Sequence, residues 1–340
     1  MTVQELPQTI RARELLGDFW FNSEPVPLSA LRGQVILLYF WDFASAAALR
    51  MLSYVREWHR RYASYGVVIV GVHTPRYPFA KQLDRVQKAI ARLAIQFPVV
   101  IDNETLIAMN YECRTLPEVV LIDKDGFVRY RGIGEGNPTA LERAIQALLY
   151  HAGIGGVLPV IMDPLRDVDR ADAVCFRATP EVLAGYLRGS LGNVEGSPPE
   201  SVVHYADPGL YLDGRFYVEG DWRSERDCLR QVEGAEPEGH VIVGYQGLDV
   251  QGILEPEGEK SVEVTVRQDN AFLSANRGDD VRIDGQGRSF VLVEEPRLYS
   301  LVKNREFGEH VLKLSSATQR FALYSFSFST AVIPELVSNN

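Results

Sequence analysis

Three cysteines and six histidines are the side chains here best suited to redox or metal chemistry. Cys113, Cys175 and Cys228 lie far apart and no CxxC occurs, so there is neither a local dithiol nor a zinc knuckle. Free thiols are expected, with a Cys175–Cys228 bridge as the alternative. His59, His73 and His151 belong to no HxH or HxxxH pair, and no metal or other cofactor is expected. Ser45 opens a helical pattern, where its hydroxyl suits an N-cap. No GxSxG elbow makes it a hydrolytic nucleophile. Asp42 and Arg50 flank this stretch and are expected to pair at the surface, or else to line a groove. The run Gly132 to Gly136 lacks the Lys-Ser/Thr ending of a phosphate loop. Further on, Tyr211, Phe216, Tyr217, Trp222 and Tyr245 are a candidate platform for sugar or peptide. Alternating aromatics more commonly serve as sandwich core and cross-strand packing.

The elements that must position these residues change character near residue 153. Val35 to Phe40 is a continuous apolar run, as a strand buried on both faces requires. Leu49, Leu52, Val55, Trp58 and Tyr62 follow at helical spacing from Ser45. Val67 to Thr74 reads as a second buried strand, Ala80 to Leu93 as a helix, and Phe97 to Asp102 as a short strand. Val119 to Gly132 reads as a hairpin turning at Asp125-Gly126, and Thr139 to Tyr150 as a closing helix. This order predicts an α/β domain with a mixed sheet over residues 1–152. The Gly- and Pro-rich start of 153–172 reads as a linker. A short helix is expected after Thr179 as N-cap and Pro180. From about Ser201 many short strands separated by turn residues predict a sandwich or jelly roll within 173–340.

Composition narrows the function classes. At 340 residues, two domains with real cores are expected. A net charge of −10 argues against a general nucleic-acid binder, which needs a basic face. No apolar run nears the ~18 residues of a membrane span. The first residues, MTVQELPQTIRARELLGDF, carry no basic region followed by an apolar stretch, so a cytoplasmic protein is expected unless a signal has been removed.

The segment LRGQVILLYFWDFASAAALRML resembles the first strand, active-site loop and helix of thioredoxin-like redoxins of the TlpA/DipZ type. HTPRYPFAKQLDRVQKAI, FPVVIDNE and TLPEVVLIDKDGFVRYRGIGEG continue the resemblance to about residue 150. FYVEGDWRSERDCL and EEPRLYSLVKNREFGEHVLKL are similar to the β-sandwich module that follows in DipZ-type proteins, themselves similar to carbohydrate-binding sandwiches. The resemblance implies a thioredoxin fold, a thiol–disulfide oxidoreductase or antioxidant lineage, a disulfide-bearing or extended polypeptide substrate, and a glycan as a further ligand of the sandwich. It also implies a cis bond at Leu116-Pro117 and a groove along Trp41, Asp42, Ser45, Ala48, Arg50, Leu116 and Pro117. Members read W-x-x-x-C-x-x-C, but here Ser45 and Ala48 occupy the two cysteine positions. A serine hydroxyl lacks the acidity and nucleophilicity of a thiol, and alanine has no reacting group, so no dithiol exchange is expected. A peroxiredoxin also needs an activated cysteine in this loop. Cys113, four residues before Pro117, is the one thiol of the domain that could react; the alternative is a partly buried structural thiol. The other reading is a non-catalytic module for polypeptide or carbohydrate.

Overall fold

The computed structural model describes residues 2–334 apart from 8, 18, 155, 233–238, 259 and 317–319. The outer ends of the two expected domains, 1 and 335–340, lie outside the described residues. The chain forms two compact units that divide between Ala173 and Val174.

The first unit is built on a seven-stranded mixed sheet. In chain order it holds β1 (Thr2–Glu5), β2 (Trp20–Phe21), β3 (Val35–Trp41), α1 (Ala46–Tyr62), β4 (Val67–His73), α2 (Leu83–Arg92), β5 (Val99–Ile101), α3 (Leu106–Asn110), β6 (Glu118–Ile122), β7 (Val128–Ile133) and α4 (Pro138–His151). The strand order is β1-β7-β6-β3-β4-β5-β2. Strands β3, β4 and β5 run parallel, β6 lies antiparallel beside β3, and β7 lies antiparallel beside β6. Every residue of β3 is buried, which explains why its sequence carries no polar alternation. The hairpin turns where expected: Gly126 takes φ 79°, and the Asp123 carboxylate accepts from the amides of Asp125 and Phe127. Met51, Leu52, Val55, Trp58 and Tyr62 form the buried stripe of α1. The expected helix from Ala80 begins later. Pro78–Lys81 is a 3-10 turn and the α-helix starts at Leu83.

The stretch 153–172 is anchored along α1 and α4. Gln146 donates to the Pro159 carbonyl at 2.7 Å, and the Met162 amide donates to Glu142 at 3.1 Å. The Leu165 amide donates to the Tyr54 hydroxyl at 2.9 Å, and that hydroxyl donates to Asp169 at 2.7 Å.

The second unit is a strand-rich sandwich. It comprises β8 (Val182–Leu183), β9 (Val202–Tyr205), β10 (Phe216–Ser224), β11 (Leu229–Gln231), β12 (His240–Pro256), β13 (Val262–Gln268), β14 (Ala271–Phe272), β15 (Val281–Ile283), β16 (Ser289–Val293), β17 (Arg297–Ser315) and β18 (Phe321–Phe328). The long strands β12 and β17 pair along most of their length. The first half of β12 also pairs with β10 and its second half with β18. Two glycines, Gly247 and Gly308, face each other across this pairing, next to a register shift. The helix expected after Thr179 does not form. Thr179 instead donates to Asp213 and accepts from the Gln246 amide, and the chain runs into β8, paired with β18. Tertiary hydrogen bonding thus overrides a good local capping signal.

The aromatic platform is likewise corrected. Phe216, Tyr217, Trp222 and Tyr245 are buried, and all but Tyr217 belong to the central apolar cluster of this unit. Only Tyr211 keeps partial exposure. Trp222 meets Phe321 edge-on at 5.6 Å and donates its indole N–H to the Glu219 carbonyl. Replacing Trp222 with alanine is expected to cost about 3–5 kcal/mol of stability, measured by urea unfolding.

Candidate functional site

The candidate site sits where β3 passes into α1. Ser45 is the N-cap of α1 in an extended conformation, and its hydroxyl accepts from the Ala48 amide at 3.4 Å. Both Ser45 and Ala48 are buried. The Tyr39 hydroxyl donates to the Ala48 carbonyl, so the first turn of α1 is tied back to β3. Phe40 pairs with Glu118, the residue after Pro117, so the register brings Pro117 beside the end of β3. The Leu116–Pro117 bond is cis.

Asp42 is fully buried, so it is not the surface group expected, and it does not pair with Arg50. Its carboxylate accepts from the Ala44 amide at 2.9 Å and the Arg76 amide at 2.7 Å, and lies 3.5 Å from His73 Nε2. A carboxylate placed here is matched by backbone N–H groups that would otherwise be buried without partners. The His73 ring is stacked on Phe43 at 5.5 Å and meets Trp41 edge-on at 5.2 Å. Phe79 packs on Phe43 and stacks on Tyr77. The loop is therefore enclosed by aromatic surface rather than open to solvent.

Arg50 reaches the other way. It grips Glu135 through two bonds of 2.6 and 2.7 Å. Glu135 also accepts from Arg166 at 3.2 Å, and Arg166 grips Asp169 at 2.6 and 2.7 Å. Glu135 lies in the Gly132–Gly136 run. Its partnership with Arg50, 85 residues away in sequence, left no local signal.

None of the three cysteines forms a disulfide in this structure, so the Cys175–Cys228 bridge is not made. Cys113 donates its thiol to the Thr115 carbonyl at 3.4 Å. Burial, with the Glu118 carboxylate next in weight, holds this thiol well above its ordinary pKa. An activated cysteine needs the opposite environment, one that favours thiolate.

The amino-terminal part of the chain, residues 16–131, matches the AhpC/TSA family, and residues 179–329 match the thioredoxin-like C-terminal domain family. Protein DipZ of Mycobacterium tuberculosis is 36% identical over 249 residues, covering 72% of this chain and 34% of that protein. The chain thus spans about a third of the DipZ length. Thiol-disulfide oxidoreductase ResA of Bacillus cereus is 30% identical over 127 residues, 37% of this chain and 70% of ResA. A crystal structure of a thioredoxin-like superfamily protein aligns over 44% of this chain and all of its own, with 24% identity and a TM-score of 0.40. The chain belongs to the thioredoxin-like redoxin family that includes the thiol–disulfide oxidoreductases. Within it, the arrangement is of the DipZ type, with a thioredoxin-like unit followed by the C-terminal β-rich module.

Two outcomes are expected at this site. Native Cys113 should react with iodoacetamide at pH 8 roughly tenfold or more slowly than a free cysteine, because each unit of raised pKa removes about tenfold of the thiolate. Mass spectrometry of the modified peptide checks this. Asp42→Ala should lower stability by about 2–3 kcal/mol, since it orphans buried amides; chemical unfolding measures it.

Proposed function

We propose that this chain is a thioredoxin-fold protein that keeps its family's scaffold while its first unit no longer exchanges disulfides. The observation that carries the reading is Ser45 and Ala48, both buried, at the two positions where the family places sulfur. In dithiol exchange, a thiolate at a helix N-terminus attacks one sulfur of a substrate disulfide and releases the other as thiolate. A second thiol then attacks the mixed disulfide and frees the substrate. Here the first position holds a hydroxyl engaged in capping, and the second holds a methyl group. Cys113 offers no replacement: burial holds its thiol protonated, and neither Ser45 nor Ala48 can resolve a mixed disulfide.

What the scaffold retains is polypeptide recognition, in keeping with a family that acts on disulfide-bearing proteins. The contact strip runs along Trp41, Asp42, Ser45, Arg50 and Leu116–Pro117. With Trp41, Asp42 and Ser45 buried, contact falls first on Arg50 and Leu116, which are partly exposed. Burial of the sandwich aromatics removes the support for a glycan ligand. No helix among the described residues is long and apolar enough to cross a membrane.

The test is reduction of insulin with dithiothreitol as electron donor. The unmodified chain is expected to stay at the background rate, and the Ser45→Cys/Ala48→Cys variant to turn over. Turnover by the unmodified chain that Cys113→Ser abolishes would overturn the reading.

A further inference from the structure

We infer that Asp207, Glu219 and His240, in the second unit, form a site for a divalent cation of borderline softness, with Zn²⁺ the best fit. Nothing in their sequence spacing marks such a site; the fold brings them together. Glu219 on β10 and His240 at the start of β12 are directly opposed in the antiparallel register, so both side chains leave the same face of the sheet. Asp207, in the loop after β9, supplies the third donor. One nitrogen and two carboxylate oxygens then lie within 4.8 Å of one another.

The separations themselves favour a cation over a simple hydrogen-bonded cluster. His240 Nε2 stands 3.2 Å from Glu219 Oε2 and 3.4 Å from Asp207 Oδ2. A charge-assisted N–H···O bond would be about 2.7–2.9 Å. Ligands on a tetrahedral zinc with bonds of about 2.0–2.1 Å are about 3.3–3.4 Å apart, close to the two separations from His240, and the third pair lies within 4.8 Å. One imidazole N–H can serve only one of the two carboxylates at a time. A cation between the three groups would accept a lone pair from each.

The surroundings suit this role. His240 is nine-tenths buried, with its side chain 7% exposed, while the two carboxylates keep partial exposure, so an ion can enter from solvent. Asp207 is oriented from behind. The Tyr211 hydroxyl donates to its carboxylate at 2.9 Å, and the Gly209 amide donates at 2.8 Å. Such outer partners fix the direction of a ligating carboxylate. Ca²⁺ and Mg²⁺ prefer oxygen-only shells, whereas an imidazole with two carboxylates suits Zn²⁺. Three protein ligands leave a fourth position for water. The bound ion would fasten the loop after β9 to β10 and β12.

The full chain, stripped with chelator, is titrated calorimetrically with Zn²⁺ and separately with Ca²⁺, and its Co²⁺ complex is followed by visible absorption. We expect one Zn²⁺ per chain, bound at least about a hundredfold more tightly than Ca²⁺, and intense tetrahedral Co²⁺ bands. The isosteric variants Asp207→Asn and Glu219→Gln should each weaken Zn²⁺ binding by about tenfold or more. Tyr211→Phe, which touches only the positioning bond, should weaken it about 10–100-fold without changing stoichiometry. His240→Gln should abolish binding in a chain whose circular dichroism is unchanged, and the two carboxylate variants decide the matter if that chain does not fold. The inference is overturned by absence of one-to-one binding, by binding indifferent to Asp207→Asn and Glu219→Gln, or by Ca²⁺ binding as tightly as Zn²⁺.

Discussion

The carboxylate of Asp42 lies out of water at the point where the central strand ends, and a buried charge persists there only if its surroundings answer it fully. The answer comes from the amide of Ala44 in its own loop and the amide of Arg76 beyond the neighbouring strand, with His73 Nε2 packed 3.5 Å away and not hydrogen-bonded. One side chain thereby fixes the loop between β3 and α1, the segment leaving β4, and the packing of Trp41 and Phe43 on either side of the imidazole. The helix entry at Ser45, the burial of Ala48 and the position of Pro117 all follow from where β3 stops. A carboxylate so enclosed has a structural role, and reading it as a surface partner of Arg50 underestimated how far the loop turns inward.

The same geometry explains how the fold accommodates Ser45 and Ala48 at the entry of α1. The positive end of α1 that would favour a thiolate is met instead by a hydroxyl, which satisfies the Ala48 amide without becoming charged. Ala48 fills the space of the second sulfur with a methyl group that packs against neighbours. Neither residue leaves an unpaired polar group, so both are compatible with the packing of this turn.

The sequence was most legible where a local pattern coincided with a global demand. The unbroken apolar run of β3, the stripe of α1 and the Asp125-Gly126 turn each have a single structural use, and each appears where expected. Thr179-Pro180 carries an equally good local signal for a helix, yet the Gln246 amide and Asp213 claim the threonine hydroxyl first. The cluster of Asp207, Glu219 and His240, and the bond between Arg50 and Glu135, depend on strand register and chain return, which spacing does not encode. The sandwich aromatics were ambiguous for another reason: alternation marks two faces but does not say that both are covered. In β18 all eight residues are buried.

The long pairing of β12 with β17 has a kinetic meaning. Its outermost partners, His240 and Ser315, are separated by the whole of β13 to β16, so the ladder that organises the sandwich can close only after a long stretch of chain has been gathered in. Topology of this kind gives high contact order and slow folding. Until that ladder closes, β12 and β13 each lack a neighbour, leaving open edges that can recruit other chains. For this unit the hazard of misassembly is greatest during synthesis, before β17 has emerged.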